Sequence, residues 1–117
     1  MNYFKELKVW QKAIDMVSAI YLQSQGFPKD EIYGLTSQIR RSAISIPSNI
    51  AEGCGRKSEK DFHNFLGIAL GSAFELETQL LLAMKLNFLS KQEFSPIESE
   101  IQHIQNMIIK LQSTLKQ

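Results

Sequence analysis

The sequence predicts an all-α protein: an antiparallel up-down-up-down bundle of four helices, assembling as a ring-shaped homo-oligomer. Three observations predict it. Apolar residues recur at 3–4 spacing in four long stretches, the period of one helix face. The breaks between stretches are short, which suits neighbours that reverse direction. The third stretch is apolar on more of its circumference than three partner helices can cover.

The first helix is expected from about Phe4 to Gln25, with a core stripe of Leu7, Trp10, Ile14, Val17 and Tyr21. Gly26-Phe27-Pro28 stops it, because Gly suits a helix C-terminus and Pro cannot continue one. The second is expected from about Lys29 to Glu52, with Asp30 and Glu31 at its positive end and a stripe of Ile32, Leu35, Ile39, Ala43, Ile46 and Ile50. Pro47 falls inside it. The apolar phase continues through Ile50, which favours a kink over a break.

After the loop Gly53-Cys54-Gly55, Ser58 and Asp61 form a capping-box-like pair that opens the third helix. Its core stripe is Phe62, Phe65, Ala69, Ala73, Leu76, Leu80 and Ala83, and it extends to about Asn87. The fourth helix has two possible starts: Ser90 with Glu93, or Ser95 with Glu98 and Pro96 at the first helical position. A short first turn followed by a helix from about Pro96 to Leu115 is expected, with Ile97, Ile101, Ile104, Ile108, Leu111 and Leu115 inward. The 117 residues make one domain, 1–117, with no internal repeat.

The case for assembly rests on second stripes. On the third helix, Leu70, Phe74, Leu81 and Phe88 lie roughly 100–140° from the core stripe, while Ile68, Leu82 and Leu86 lie on the opposite flank. Gly67 and Gly71 leave room for a close backbone. On the second helix, Tyr33, Ser37, Arg40, Ile44, Ser48 and Ala51 form a heptad-spaced line. Tyr33, Arg40, Ile44, Leu70, Phe74 and Leu81 are therefore the candidate subunit interface. The competing reading is that these stripes widen one monomer core.

Composition bounds the function. Hydrophobic residues are 44% and charged residues 21%, ordinary for a folded domain, and the net charge of +1 is far from that of a dedicated nucleic-acid binder. The arrangement of charge says more. The bundle topology collects Lys5, Lys8, Lys12, Arg56, Lys57, Lys60, Lys110 and Lys116 at one end, against Glu6, Glu52, Glu59 and Asp61, a balance of +4. The other end balances at −1, with Lys29, Lys85 and Lys91 against Asp30, Glu31, Glu93 and Glu98. A ring would merge the basic ends into a face that attracts phosphate backbones without reading sequence. Lys5, Lys8, Lys12, Arg56, Lys57 and Lys60 are the candidate nucleic-acid contacts, for RNA or a nucleoprotein. The bland alternative is a solvated surface, and no aromatic side chains are interleaved for base stacking.

No enzyme is expected. The chain has no phosphate-binding glycine loop, no dinucleotide fingerprint, no GxSxG and no HExxH. Glu100-x-x-His103 has the spacing of a di-metal bundle motif, but His63 has Lys60 at the matching position, so no metal or cofactor is expected. Arg40-Arg41 could clamp a phosphate or carboxylate; an intersubunit or intrahelical ion pair is the preferred reading. Cys54, the single cysteine, cannot form an internal disulfide. The N-terminus lacks the apolar run of a signal peptide, and no stretch of about 18 apolar residues exists. A cytoplasmic location without a membrane anchor is expected.

The run RRSAISIPSNIAEG (Arg40–Gly53), with Leu7, Trp10 and Ala13 before it and Phe65-Leu66, Ala69, Gly71-Ser72, Glu75-Leu76 and Thr78-Gln79 after it, resembles the four-helix-bundle family encoded in intervening sequences of bacterial 23S rRNA genes. The resemblance implies a homopentameric barrel without catalytic residues. It also implies kinship with the accessory variability protein of diversity-generating retroelements, a basic pentamer that binds nucleic acid. Under it Arg40, Arg41, Asn49 and Glu52 serve structure: capping, support around Pro47 and subunit contacts.

Overall fold

The computed structural model describes residues 3–116. Among these there are four α-helices and no strand: α1 (Lys8–Ser24), α2 (Leu35–Cys54), α3 (Glu59–Lys85) and α4 (Lys91–Ser113). Short 3₁₀ turns at Tyr3–Glu6 and Lys29–Glu31 precede α1 and α2. All four helices bury a face in one core, centred on Ile39, Ile46, Leu76, Leu80, Ile101 and Ile104.

The first helix departs most from expectation. Its buried face is Val9, Ala13, Met16 and Ile20, while Ile14 and Tyr21 are exposed. Both stripes have helical spacing and lie about 100° apart. The sequence reading favoured the bulkier one, whereas small Ala13 goes inward. The Phe4 end of the expected helix is a separate 3₁₀ turn, on which Phe4 meets Trp10 edge-on at 5.2 Å. No glycine adopts positive φ. The α1 end closes instead through Gly26 N–H to Gln23 O and Phe27 N–H to Ser24 O.

The second helix starts at Leu35, later than expected, so Ile32 and Tyr33 belong to the turn before it. Ile32 is exposed; the rest of the expected stripe is buried or half-buried. Glu31 still serves the helix start, accepting the Leu35 N–H at 3.0 Å. Pro47 lies inside a helix that runs through it unbroken. Two residues on, Asn49 Nδ2 donates to the Ser45 carbonyl at 2.8 Å and lies 2.9 Å from Ser45 Oγ.

On α3, Ala69, Ala73, Leu76, Leu80 and Ala83 are buried as expected and Leu66 joins them, while Phe62 and Phe65 of the expected stripe are only half-buried. Ser58 caps it by accepting the Asp61 N–H at 3.1 Å. It ends in a Schellman turn: Phe88 N–H reaches Ala83 O at 2.8 Å, Asn87 N–H reaches Met84 O at 3.0 Å, and Asn87 takes φ 66°. By length and composition α3 alone among the described helices could cross a membrane. Glu75 and Glu77 interrupt it, so the absence of an uninterrupted apolar stretch also holds.

The fourth helix is one element from Lys91, not a turn followed by a helix from Pro96. The Ser90 capping box prevails: Glu93 N–H donates to Ser90 Oγ at 3.0 Å and Ser90 N–H to Glu93 Oε1 at 2.7 Å. Pro96 sits on the exposed side of the second turn, where water can satisfy the carbonyl it leaves unpaired.

Candidate functional site: a basic end and two apolar faces

Contacts between helices fix which ends meet. The Lys116 N–H donates to Glu59 Oε1 at 2.9 Å and Gln112 Nε2 donates to His63 O at 3.3 Å, so the end of α4 lies beside the start of α3. Lys8 and Lys110 flank a cleft of about 300 Å³ between α1 and α4, whose walls are Leu7, Val9, Met107 and Leu111.

The six basic candidates divide into two sets. Lys12 pairs with Glu100 at 3.8 Å, and Arg56 pairs with Glu52 at 3.1 Å while lying 4.7 Å over the Phe65 ring. Lys5, Lys8, Lys57 and Lys60 are exposed and form no ion pair among the described residues. They keep full charge available to a phosphate backbone.

The interface candidates fall on two faces. On the α1–α2 side, Tyr33 is 96% exposed, and with Ile32, Tyr21 and Ile44 it borders a groove that Arg40 and Arg41 also line. On the α3–α4 side, Phe74 is 49% exposed and Leu81 is likewise exposed, with Leu70 half-buried against the core. At 100° per residue these three project within about 60° of Glu77. The side chain of Glu77 accepts hydrogen bonds from Gln102 at 2.9 Å and Gln105 at 2.8 Å of α4. Exposed Ile109 of α4 extends the apolar surface, a residue the sequence reading did not single out. Its only signal was an isoleucine one step beyond the core stripe.

Among the described residues Arg40 forms no ion pair within the chain, so the intrahelical half of the expectation is not met; the intersubunit half concerns a neighbouring copy. Arg40 Nε donates to Ser24 Oγ at 2.9 Å, and its guanidinium lies 4.7 Å over the Tyr21 ring. No atom comes within 4 Å of where a Gly71 Cβ would stand, and Gly67 meets only Gln112. Within the subunit, neither glycine supports a close backbone approach.

On the α3–α4 face the Glu77 and Glu98 carboxyls lie within hydrogen-bonding reach of each other. Burial pushes the Glu77 carboxyl up, but hydrogen bonds from Gln105, Gln102 and Glu98 outweigh this and hold it below the ordinary range. Burial, the bond to Glu77 and repulsion from it push Glu98 up. Burial also pushes the Cys54 thiol up, which disfavours the nucleophilic thiolate. Among the described residues no cluster of three or more His, Cys, Asp or Glu could hold a metal.

A crystal structure of a protein of unknown function from the S23 ribosomal protein family of Bacteroides thetaiotaomicron has a similar fold, with TM-score 0.81 and 28% identity. The match covers 88% of this chain and 96% of that one. No curated protein matches the sequence. Residues 5–110 match the family described as 23S rRNA-intervening sequence protein. With the Arg40–Gly53 run on α2, four helices around one core and this solved relative, the chain belongs to the 23S rRNA-intervening sequence protein family.

Proposed function

We propose that this chain is a non-enzymatic subunit of a homo-oligomeric ring whose merged basic ends contact RNA or a nucleoprotein. The bundle runs up-down-up-down. Contact partners fall in number as their mates rise: Lys12 with Glu100 and Gln23 with Glu93, Ser42 with Glu75 and Ser45 with Ser72. The observation that carries the ring is the pair of exposed apolar faces, one on α1–α2 and one on α3–α4. With the helices in sequential order these faces lie on opposite flanks. They also differ in charge, Arg40 and Arg41 on one and Glu77 and Glu98 on the other. Unlike faces pair head to tail, and head-to-tail pairing closes a ring when the rotation permits. Five subunits is the number the family resemblance implies, and the cytoplasm is the location expected from the N-terminal sequence.

Light scattering at micromolar concentration should give a mass near five times the 13.4 kDa chain. A clean monomer would remove the reading. Binding to mixed RNA should weaken steeply with salt and be lost when Lys57→Glu and Lys60→Glu are combined. A ring without RNA binding would leave a protein-interaction scaffold. The neutralisation of Lys12 and Arg56 within the chain favours that second reading.

A further inference from the structure

Away from the basic end, the corner where α1 turns into α2 holds a half-open cavity of about 430 Å³. Ser24, Phe27, Lys29, Ile32, Thr36 and Arg40 line it. Two of its polar residues are buried, Thr36 at 2% and Ser24 at 3% exposure. Buried hydroxyls in native proteins almost always find partners. Ser24 does: it accepts from Arg40 Nε and donates to the Tyr21 carbonyl at 3.2 Å. Thr36 does not. Its Oγ1 is buried with no hydrogen-bond partner in the chain, and an orphan of this kind calls for an explanation.

The charges around the orphan have one sign. Arg40 is held by Ser24 and by the Tyr21 ring, which fixes its planar fork while leaving donors unused. Lys29 stands at the rim. Neither cation has an ion pair among the described residues. Neither Asp30 nor Glu31 lines the cavity, and Glu31 is tied to the Leu35 N–H. Phe27, buried against the core, and Ile32 supply an apolar wall. Ligand sites combine such a wall with a few convergent polar groups.

We infer that the α1–α2 corner binds a small organic oxyanion, a carboxylate or phosphate carried on an apolar body. Arg40 pairs with the anionic head, the Thr36 hydroxyl donates to it, Lys29 adds charge at the mouth, and the body lies against Phe27 and Ile32. The inference does not depend on RNA; the corner shares Ile32 and Arg40 with the α1–α2 groove, so it requires a ring in which the neighbouring subunit leaves the corner open.

Titration followed by amide NMR, with phenylacetate, phenyl phosphate, inorganic phosphate and benzyl alcohol as probes, tests it. Phenylacetate or phenyl phosphate should give saturable shifts concentrated on residues 24–40. Which of the two binds tighter identifies the head group. Inorganic phosphate, lacking the body, and benzyl alcohol, lacking the charge, should each bind about tenfold more weakly or worse. Thr36→Val keeps the shape and removes the orphan, so the free protein should melt no lower than the parent. Its affinity for the preferred probe should nevertheless fall about tenfold. Arg40→Gln should abolish the preference for anions. The proposal is overturned if no organic anion gives saturable shifts at millimolar concentration, or if Thr36→Val binds as the parent does. It is also overturned if shifts at residues 24–40 follow protein concentration instead of probe, since a neighbouring subunit would then fill the corner.

Discussion

Along the α2–α3 seam, Gly53 lies against Phe62 and Phe65, Ser45 meets Ser72 at 2.8 Å, and Ala43, Ala69 and Ala73 are buried. Along the α1–α4 seam, Lys12 pairs with Glu100 at 3.8 Å and Gln23 donates to Glu93 at 3.1 Å, beside a cleft of about 300 Å³. Small side chains let two backbones approach, and the resulting contacts cannot relax without moving a whole helix. Long exposed side chains bridge a wider gap, and each such bridge is worth little. Stability should therefore concentrate in α2–α3, and the molecule should open first along α1–α4.

Gly53→Ala tests the tight seam and should have the largest effect. An added Cβ would stand 2.7 Å from Phe65 Cβ and 2.9 Å from Phe62 Cδ1. Phe65 Cβ is fixed to the α3 backbone, so relief requires the helices to part. A loss of about 1–3 kcal/mol is expected, by analogy with overpacked cores. Denaturant unfolding measures it. An unchanged midpoint would mean that the seam yields easily, and the contrast between the two seams would fail.

The α3 side of the tight seam was legible in the sequence, because Ala69, Ala73, Leu76 and Leu80 sit on a strict helical period. The phase of α1 was not. Two stripes were available, and packing distance, which the sequence does not carry, selects the smaller residues. The α4 start was ambiguous because two capping boxes lay five residues apart, and local signals cannot rank them. Of the candidate site, the gathering of Lys8 with Lys110 followed from helix order alone. The pairing of Lys12 with Glu100 did not, since it depends on the register between two helices. The α1–α2 corner left no trace in sequence. Ser24 and Thr36 are ordinary helix residues until tertiary contacts decide whether their hydroxyls find partners.

Ser90→Ala bears on the loose seam and should cost about 1 kcal/mol, the usual value of an N-cap. The Ser90 backbone N–H, then the Gln23 amide and the Ser90 hydroxyl, hold the Glu93 carboxyl below the ordinary range. A depressed pKa means that Glu93 contributes fully at neutral pH. The contribution is lost as the pH falls through the folded value, below the usual carboxylate range. In Ser90→Ala the backbone N–H remains, so part of this acid dependence should survive. Melting curves across acid pH separate the cap from the charge. A variant whose acid profile matches the parent would show that the hydroxyl does not tune Glu93.

Lys12→Ala should have the smallest effect, within about 0.5 kcal/mol of the parent. Both partners of this pair are about two-fifths exposed, at 43% each, and 3.8 Å is near the limit of contact. Solvent and salt screen it, and the ammonium gives up stem entropy to hold one position. A larger loss, persisting at high salt, would show α1–α4 to be held by electrostatics more firmly than its geometry suggests. A small loss in stability accompanied by faster amide exchange along α1 and α4, but not α2 and α3, would sharpen the contrast. It would locate the opening motion at the seam that Lys8 and Lys110 flank, next to the basic end proposed to meet RNA.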